Sequence, residues 1–127
     1  MNHFLIVAAG GAIGAALRHG AGLLSLRHLP ANWPWATFSV NLIGGFAMGL
    51  VAGWFAYKAT GGGEDLRLFL ATGLLGGFTT FSAFSLETLN LLRTGETGKA
   101  LAYAATSVIF SVAALAVGLM LARRVFA

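Results

Sequence analysis

Apolar residues run along this chain in four long blocks, at about residues 4–26, 33–57, 66–92 and 99–121, separated by short polar stretches. Crossing a hydrocarbon core of ~30 Å takes about 20 residues of α-helix, so each block predicts a membrane-spanning helix. The segment HLPANWPW divides the first two: Pro30 and Pro34 punctuate the backbone, and Trp33 and Trp35 suit a membrane–water interface. KATGGGEDLR forms a polar loop before the third block and RTGETG a tight turn before the fourth. Connections this short make sequential neighbours antiparallel. The first block is rich in alanine, as a secretory leader is. No lysine or arginine precedes it, however, and it is longer than a leader core and contains Arg18, so it reads as a retained helix.

Composition strengthens this reading: 57% of residues are hydrophobic and 9% charged, far from the balance of a soluble domain. A chain of 127 residues has room for four spanning helices and no separate soluble domain. The expected fold is all-α and integral to the membrane. Cysteine is absent, which removes disulfides and thiolate metal sites, and the spacing of His3, His19 and His28 matches no metal-binding pattern. The formal charge of +4 resides at helix ends, where it suits lipid phosphates rather than nucleic acid.

Basic residues also bear on orientation. Lys58, Arg67, Arg123 and Arg124 fall on the side of both termini, and Arg18, Arg27, Arg93 and Lys99 on the other. This even count gives the positive-inside rule nothing to act on, so insertion in both orientations is expected. Such a population offers an antiparallel homodimer about a twofold axis in the membrane plane. Glycines recur at four-residue intervals, as in Gly10 and Gly14, Gly45, Gly49 and Gly53, and Gly73 and Gly77, a spacing that lets helix backbones approach closely.

Polar groups inside apolar blocks are costly and point to function. Asn41 shares an i, i+4 stripe with Thr37, Gly45, Gly49 and Gly53 and serves either to hold helices together or to line a path. Tyr103, Ser107 and Ser111 form a hydroxyl ladder, which either lines a path or bonds back to carbonyls one turn earlier. Arg18 follows Gly10 and Gly14 on one stripe, towards one end of its helix, where it snorkels or lines a vestibule. In the third block, GLLGGFTTFSAFS combines Gly76, Gly77, Thr79 and Thr80, and this predicts an interrupted helix near its midpoint. A break at membrane depth frees amides that favour an anion and carbonyls that favour a cation. Phe81 and Phe84 project from one side of the half-helix that follows, and their electropositive ring edges can meet an anion. Glu87 is the only acidic residue in any block. Proton-coupled pumps use buried carboxylates as relays, so this scarcity favours passive anion conduction, and no catalytic constellation suggests an enzyme.

These residues resemble the small four-helix fluoride channels called Fluc, or CrcB-like proteins. The likeness is carried by GGAIGAALRH (Gly10 to His19), TFSVNLIGG (Thr37 to Gly45) and GGFTTFSAFSLET (Gly76 to Thr88). His19 departs from the aromatic residue often seen after the arginine. The resemblance implies a dual-topology antiparallel homodimer with two pores, passively exporting cytoplasmic fluoride across a bacterial inner membrane. It implies that Phe81 and Phe84 present ring edges to fluoride, that Asn41 donates an amide hydrogen bond, and that Arg18 sits near a vestibule. Ser82, Thr80, Tyr103, Ser107 and Ser111 would supply hydroxyl donors. The backbone carbonyls of Gly76 and Thr79 from both subunits would hold a structural sodium ion on the dimer axis. Two alternatives share the helix count: a small dual-topology multidrug exporter, which normally needs an acidic residue deep in the first helix, and a structural membrane protein.

Overall fold

The computed structural model describes residues 2–58 and 61–127, so Ala59 and Thr60 of the polar second loop lie outside the described residues. It is all-helical, with four helices long and apolar enough to cross a membrane. Helix α1 (His3–His28) starts where the Asn2 side chain accepts the Phe4 N–H at 2.8 Å. It stops at Leu29, which is extended (ψ 148°) because the residue before a proline is driven from helical geometry. Arg27 and His28 in its last turn complement the negative end of the helix dipole. Helix α2 (Trp35–Tyr57) begins directly after Pro34.

The third crossing spans Glu64–Arg93 in two halves. Its first half opens with α3 (Glu64–Arg67), where Glu64 and Asp65 suit the positive end of the dipole and His3 Nε2 lies 3.2 Å from Asp65. It continues through a π-helical stretch, Leu68–Leu75, into α4 (Gly76–Phe78). Thr79 (φ −86°, ψ 160°) and Thr80 (φ −153°, ψ 120°) are extended. Helix α5 (Phe81–Arg93) forms the second half, so the interruption expected from the glycines and threonines is present near the midpoint. Helix α6 (Thr97–Phe126) runs five residues past the end expected at Leu121. No proline or glycine follows to stop it, and Arg123 and Arg124 favour its C-terminus.

The helices pack mainly as two pairs, α1 with the first half of the third crossing and α2 with α6. Each pair meets backbone to backbone through glycine. A Cβ at Gly14 would collide with the Leu74 carbonyl oxygen, and one at Gly49 with that of Leu115. Lipid supplies no hydrophobic drive between helices, so this close approach, with the dispersion contacts it allows, is what holds them. Few apolar side chains are buried, Tyr103 and Val40 being the largest of those fully buried, while Phe4, Leu26 and Val112 face outward as a lipid-exposed surface requires.

Candidate functional site at the helix break

An interrupted helix leaves polar backbone that hydrocarbon cannot satisfy, so the destination of each group defines the site. Asn41 pairs with both ends of Thr80: its Oδ1 accepts the Thr80 N–H at 2.9 Å and its Nδ2 donates to the Thr80 carbonyl at 3.1 Å. The Thr80 hydroxyl caps α5 by accepting the Ala83 N–H at 3.1 Å and lies 3.3 Å from the Ser82 hydroxyl. The Thr79 N–H and hydroxyl both turn back to the Leu75 carbonyl, at 3.0 and 2.9 Å. Arg18 Nε donates to the Gly77 carbonyl at 3.1 Å. In a continuous helix the Thr80 N–H would reach the carbonyl of Gly76, and the Ala83 N–H that of Thr79. Both donors are engaged elsewhere, so these two carbonyls lose their helical partners.

Beside the break, α2 and α6 enclose a groove of about 400 Å³. Asn41, Thr80, Phe81, Phe84, Ser107 and Ser111 line it, with Gly44 packed against Thr79 and Gly45 against the Ser111 backbone at its α2 side. The Phe81 and Phe84 rings lie 5.6 Å apart between centroids, tilted by 44°, and Phe84 lies 5.2 Å from Tyr103. Phe81 projects outward, 78% exposed, whereas Tyr103 is fully buried. The hydroxyl ladder divides from its neighbours at this point. Ser85, Thr88 and Thr106 donate to carbonyls one turn back, at 2.9, 2.8 and 2.6 Å. The buried Ser107 Oγ has no partner among the described residues, and the buried Tyr103 hydroxyl lies beside the Thr37 hydroxyl and the Glu87 carboxylate. Neither hydroxyl turns back to a carbonyl of its own helix, which favours a path over backbone capping for these two.

Arg18 lies apart from the groove, on a second cavity of about 600 Å³ that it shares with His19, Glu87 and Thr80. Thr80 therefore borders both spaces, while Ser82 is exposed on the first turn of α5. The lone acid, Glu87, accepts a hydrogen bond from the Thr37 hydroxyl. Sequence reading singled out Thr37 and Glu87 separately, but their pairing across 50 positions needs the fold. The pairing of Asn41 with Thr80 was missed in the same way, because it joins residues 39 apart.

Over residues 5–119 the sequence matches the family described as CrcB-like protein, Camphor Resistance (CrcB). It is 64% identical, over 127 residues and the whole of both chains, to the fluoride-specific ion channel FluC of Hyphomonas neptunium. Relatives of the same name in Phenylobacterium zucineum and Caulobacter vibrioides (strain NA1000) are 51% and 47% identical, again over the whole of both chains.

Proposed function

We propose that this chain, which belongs to the CrcB-like family, is a fluoride-specific ion channel that lets the anion cross the membrane passively. The observation that carries this reading at atomic level is the groove itself. There an asparagine amide, two phenylalanine rings and a buried serine hydroxyl without a partner converge beside a broken helix. Fluoride is small, strongly hydrated and a strong acceptor, so a narrow path must replace its water with donors. Asn41 spends its carbonyl and one N–H on Thr80 and keeps its second N–H for the anion. Ser107 and Tyr103 offer hydroxyl hydrogens, Ser111 continues the ladder, and Thr80 and Ser82 stand at the break. Phe81 and Phe84 contribute electropositive ring edges. Arg18, in the neighbouring cavity, raises the local anion concentration, and the negative-inside potential of a bacterial inner membrane drives export at ~2.3 kcal/mol per 100 mV.

The functional unit in this proposal is an antiparallel homodimer with two pores. The freed carbonyls of Gly76 and Thr79 suit a hard monovalent cation that takes oxygen ligands. Two copies would supply four such oxygens to a structural sodium ion between them. Bound there, the ion would neutralise the carbonyl ends left bare by the break. Fluoride efflux from proteoliposomes, followed with a fluoride-selective electrode, tests the function. Rapid efflux of fluoride but not chloride is expected, and silence would return the field to a drug exporter or an assembly protein.

A further inference from the structure

Among the described residues, the indole nitrogens of Trp33 and Trp35 and Ser107 Oγ are sealed from solvent without a hydrogen-bond partner, and the buried Tyr103 hydroxyl has only Thr37 and Glu87 beside it. Each such group in a low-dielectric interior costs stability, and a native structure that keeps several together invites an explanation. They are not scattered. Trp35 and Trp33 rings lie 6.2 Å apart, Trp33 meets Tyr103 edge-on at 5.5 Å, and Tyr103 leads to Phe84 at 5.2 Å and on to Phe81 at 5.6 Å. The rings thus form one continuous file from the cavity of Arg18 to the groove beside the break. Both tryptophans line that cavity.

We propose that the indole N–H groups of Trp33 and Trp35 form an entry site for fluoride, where the anion exchanges its first waters for protein donors before reaching Tyr103. An indole N–H donates and cannot accept, so it favours an anion and offers a cation nothing. The ordinary role of interfacial tryptophan, an N–H held among lipid headgroups, requires an accessible nitrogen. Here both nitrogens are buried although each residue is partly exposed, so lipid headgroups do not hold them, and fluoride reaches them only as the rings turn towards the cavity they line. The inference rests on the fluoride-channel reading and extends its path by one station.

The chain has three tryptophans, and the third, Trp54, packs against Phe55 at 4.7 Å away from this cavity, so it serves as an internal reference. In ¹⁵N-labelled protein in lipid nanodiscs, indole resonances assigned by single Trp→Phe variants are followed while sodium fluoride replaces sodium chloride at constant ionic strength. The Trp33 and Trp35 N–H signals should move downfield and saturate, while Trp54 stays fixed. Absence of movement at Trp33 and Trp35, or an equal response at Trp54, overturns the inference. So does an equal response when chloride replaces gluconate. Trp33→Phe keeps an aromatic ring and removes the donor, and should lower fluoride efflux about tenfold or more, as loss of a hydrogen bond to a charged partner does. Unchanged efflux through a correctly assembled Trp33→Phe protein also overturns it. A wild-type protein silent to fluoride would defeat the channel reading itself, whereas a conducting protein whose indoles ignore fluoride defeats only the entry site.

Discussion

Asn41 has two jobs in this account, and two substitutions separate them. As a clamp, its side chain satisfies the Thr80 N–H and carbonyl at 2.9 and 3.1 Å. As a donor, its remaining N–H faces the groove. Asn41→Ala removes both clamp bonds and leaves two part-buried backbone groups unsatisfied, at about 1–3 kcal/mol each. Asn41→Asp keeps the acceptor for the Thr80 N–H; protonated, it still donates to the Thr80 carbonyl and is the milder change to the clamp, whereas ionised it sets a carboxylate oxygen against that carbonyl. In an anion path the order reverses. An ionised aspartate about 4 Å from fluoride repels it by ~4 kcal/mol at an effective dielectric near 20, enough to lower occupancy about a thousandfold. The assay is fluoride efflux at neutral pH, normalised to correctly eluting protein. We expect both variants to weaken the clamp, and Asn41→Asp to conduct less than Asn41→Ala per correctly eluting protein. If Asn41→Asp conducts at least as well as Asn41→Ala, Asn41 acts on the helix break alone.

Close helix approach predicts that Gly49→Leu, whose added atoms would meet the Leu115 backbone, destabilises the α2–α6 pair by about 1–3 kcal/mol or more. Loss of monodisperse elution on mild heating reads this, and Gly98→Ala, with nothing within 4 Å of its Cβ, should be neutral. Balanced charge predicts that C-terminal reporter fusions are active on both sides of the membrane, and that two lysines added to the second loop bias the population; a single orientation in cells would remove the argument. Structural sodium predicts electrogenic fluoride flux that ignores a sodium gradient, and a reversal potential that tracks sodium would refute it.

The four spans and the break were legible because hydrocarbon leaves so little choice: a block of about 20 apolar residues must be helical, and the weak helix formers from Gly76 to Thr80 mark where the chain leaves helical geometry, at Thr79 and Thr80. Side-chain destinations were less legible. The i, i+4 stripe placed Asn41 with Gly45, Gly49 and Gly53, but each such step turns a helix by about 40°, so the stripe drifts around α2. Gly45, Gly49 and Gly53 consequently meet α6, while Asn41 and Gly44 face the break. The π-helical stretch at Leu68–Leu75 carries no local signal either. It lies where α1 glycines press on the backbone, with a Cβ at Gly10 predicted to fall 2.5 Å from the Phe69 carbonyl oxygen, a tertiary relation absent from the local sequence.

What separates this site from a merely well-packed polar seam is which hydrogen bonds have already been made. Several acceptors around the break are occupied, Asn41 taking the Thr80 carbonyl, Arg18 that of Gly77 and Glu87 accepting from Thr37, while the carbonyls of Gly76 and Thr79 are left for the cation proposed between two copies. Among the described residues the donors without partners are Ser107 and the two indoles, with the Tyr103 hydroxyl beside Thr37 and Glu87. A seam built for adhesion would pair donors with acceptors, because every group left over in hydrocarbon weakens it. A path for an anion needs the opposite imbalance, with acceptors neutralised and donors held in reserve at fixed positions, since any free acceptor would repel the ion and any mobile donor would have to be ordered on each passage. Glycine supplies the rest of the arrangement. By bringing backbones together in two pairs, it holds Asn41, Tyr103 and Ser107 on rigid helices at the junction where α2, α5 and α6 meet, with Trp35 in the first turn of α2 and Trp33 in the connection before it.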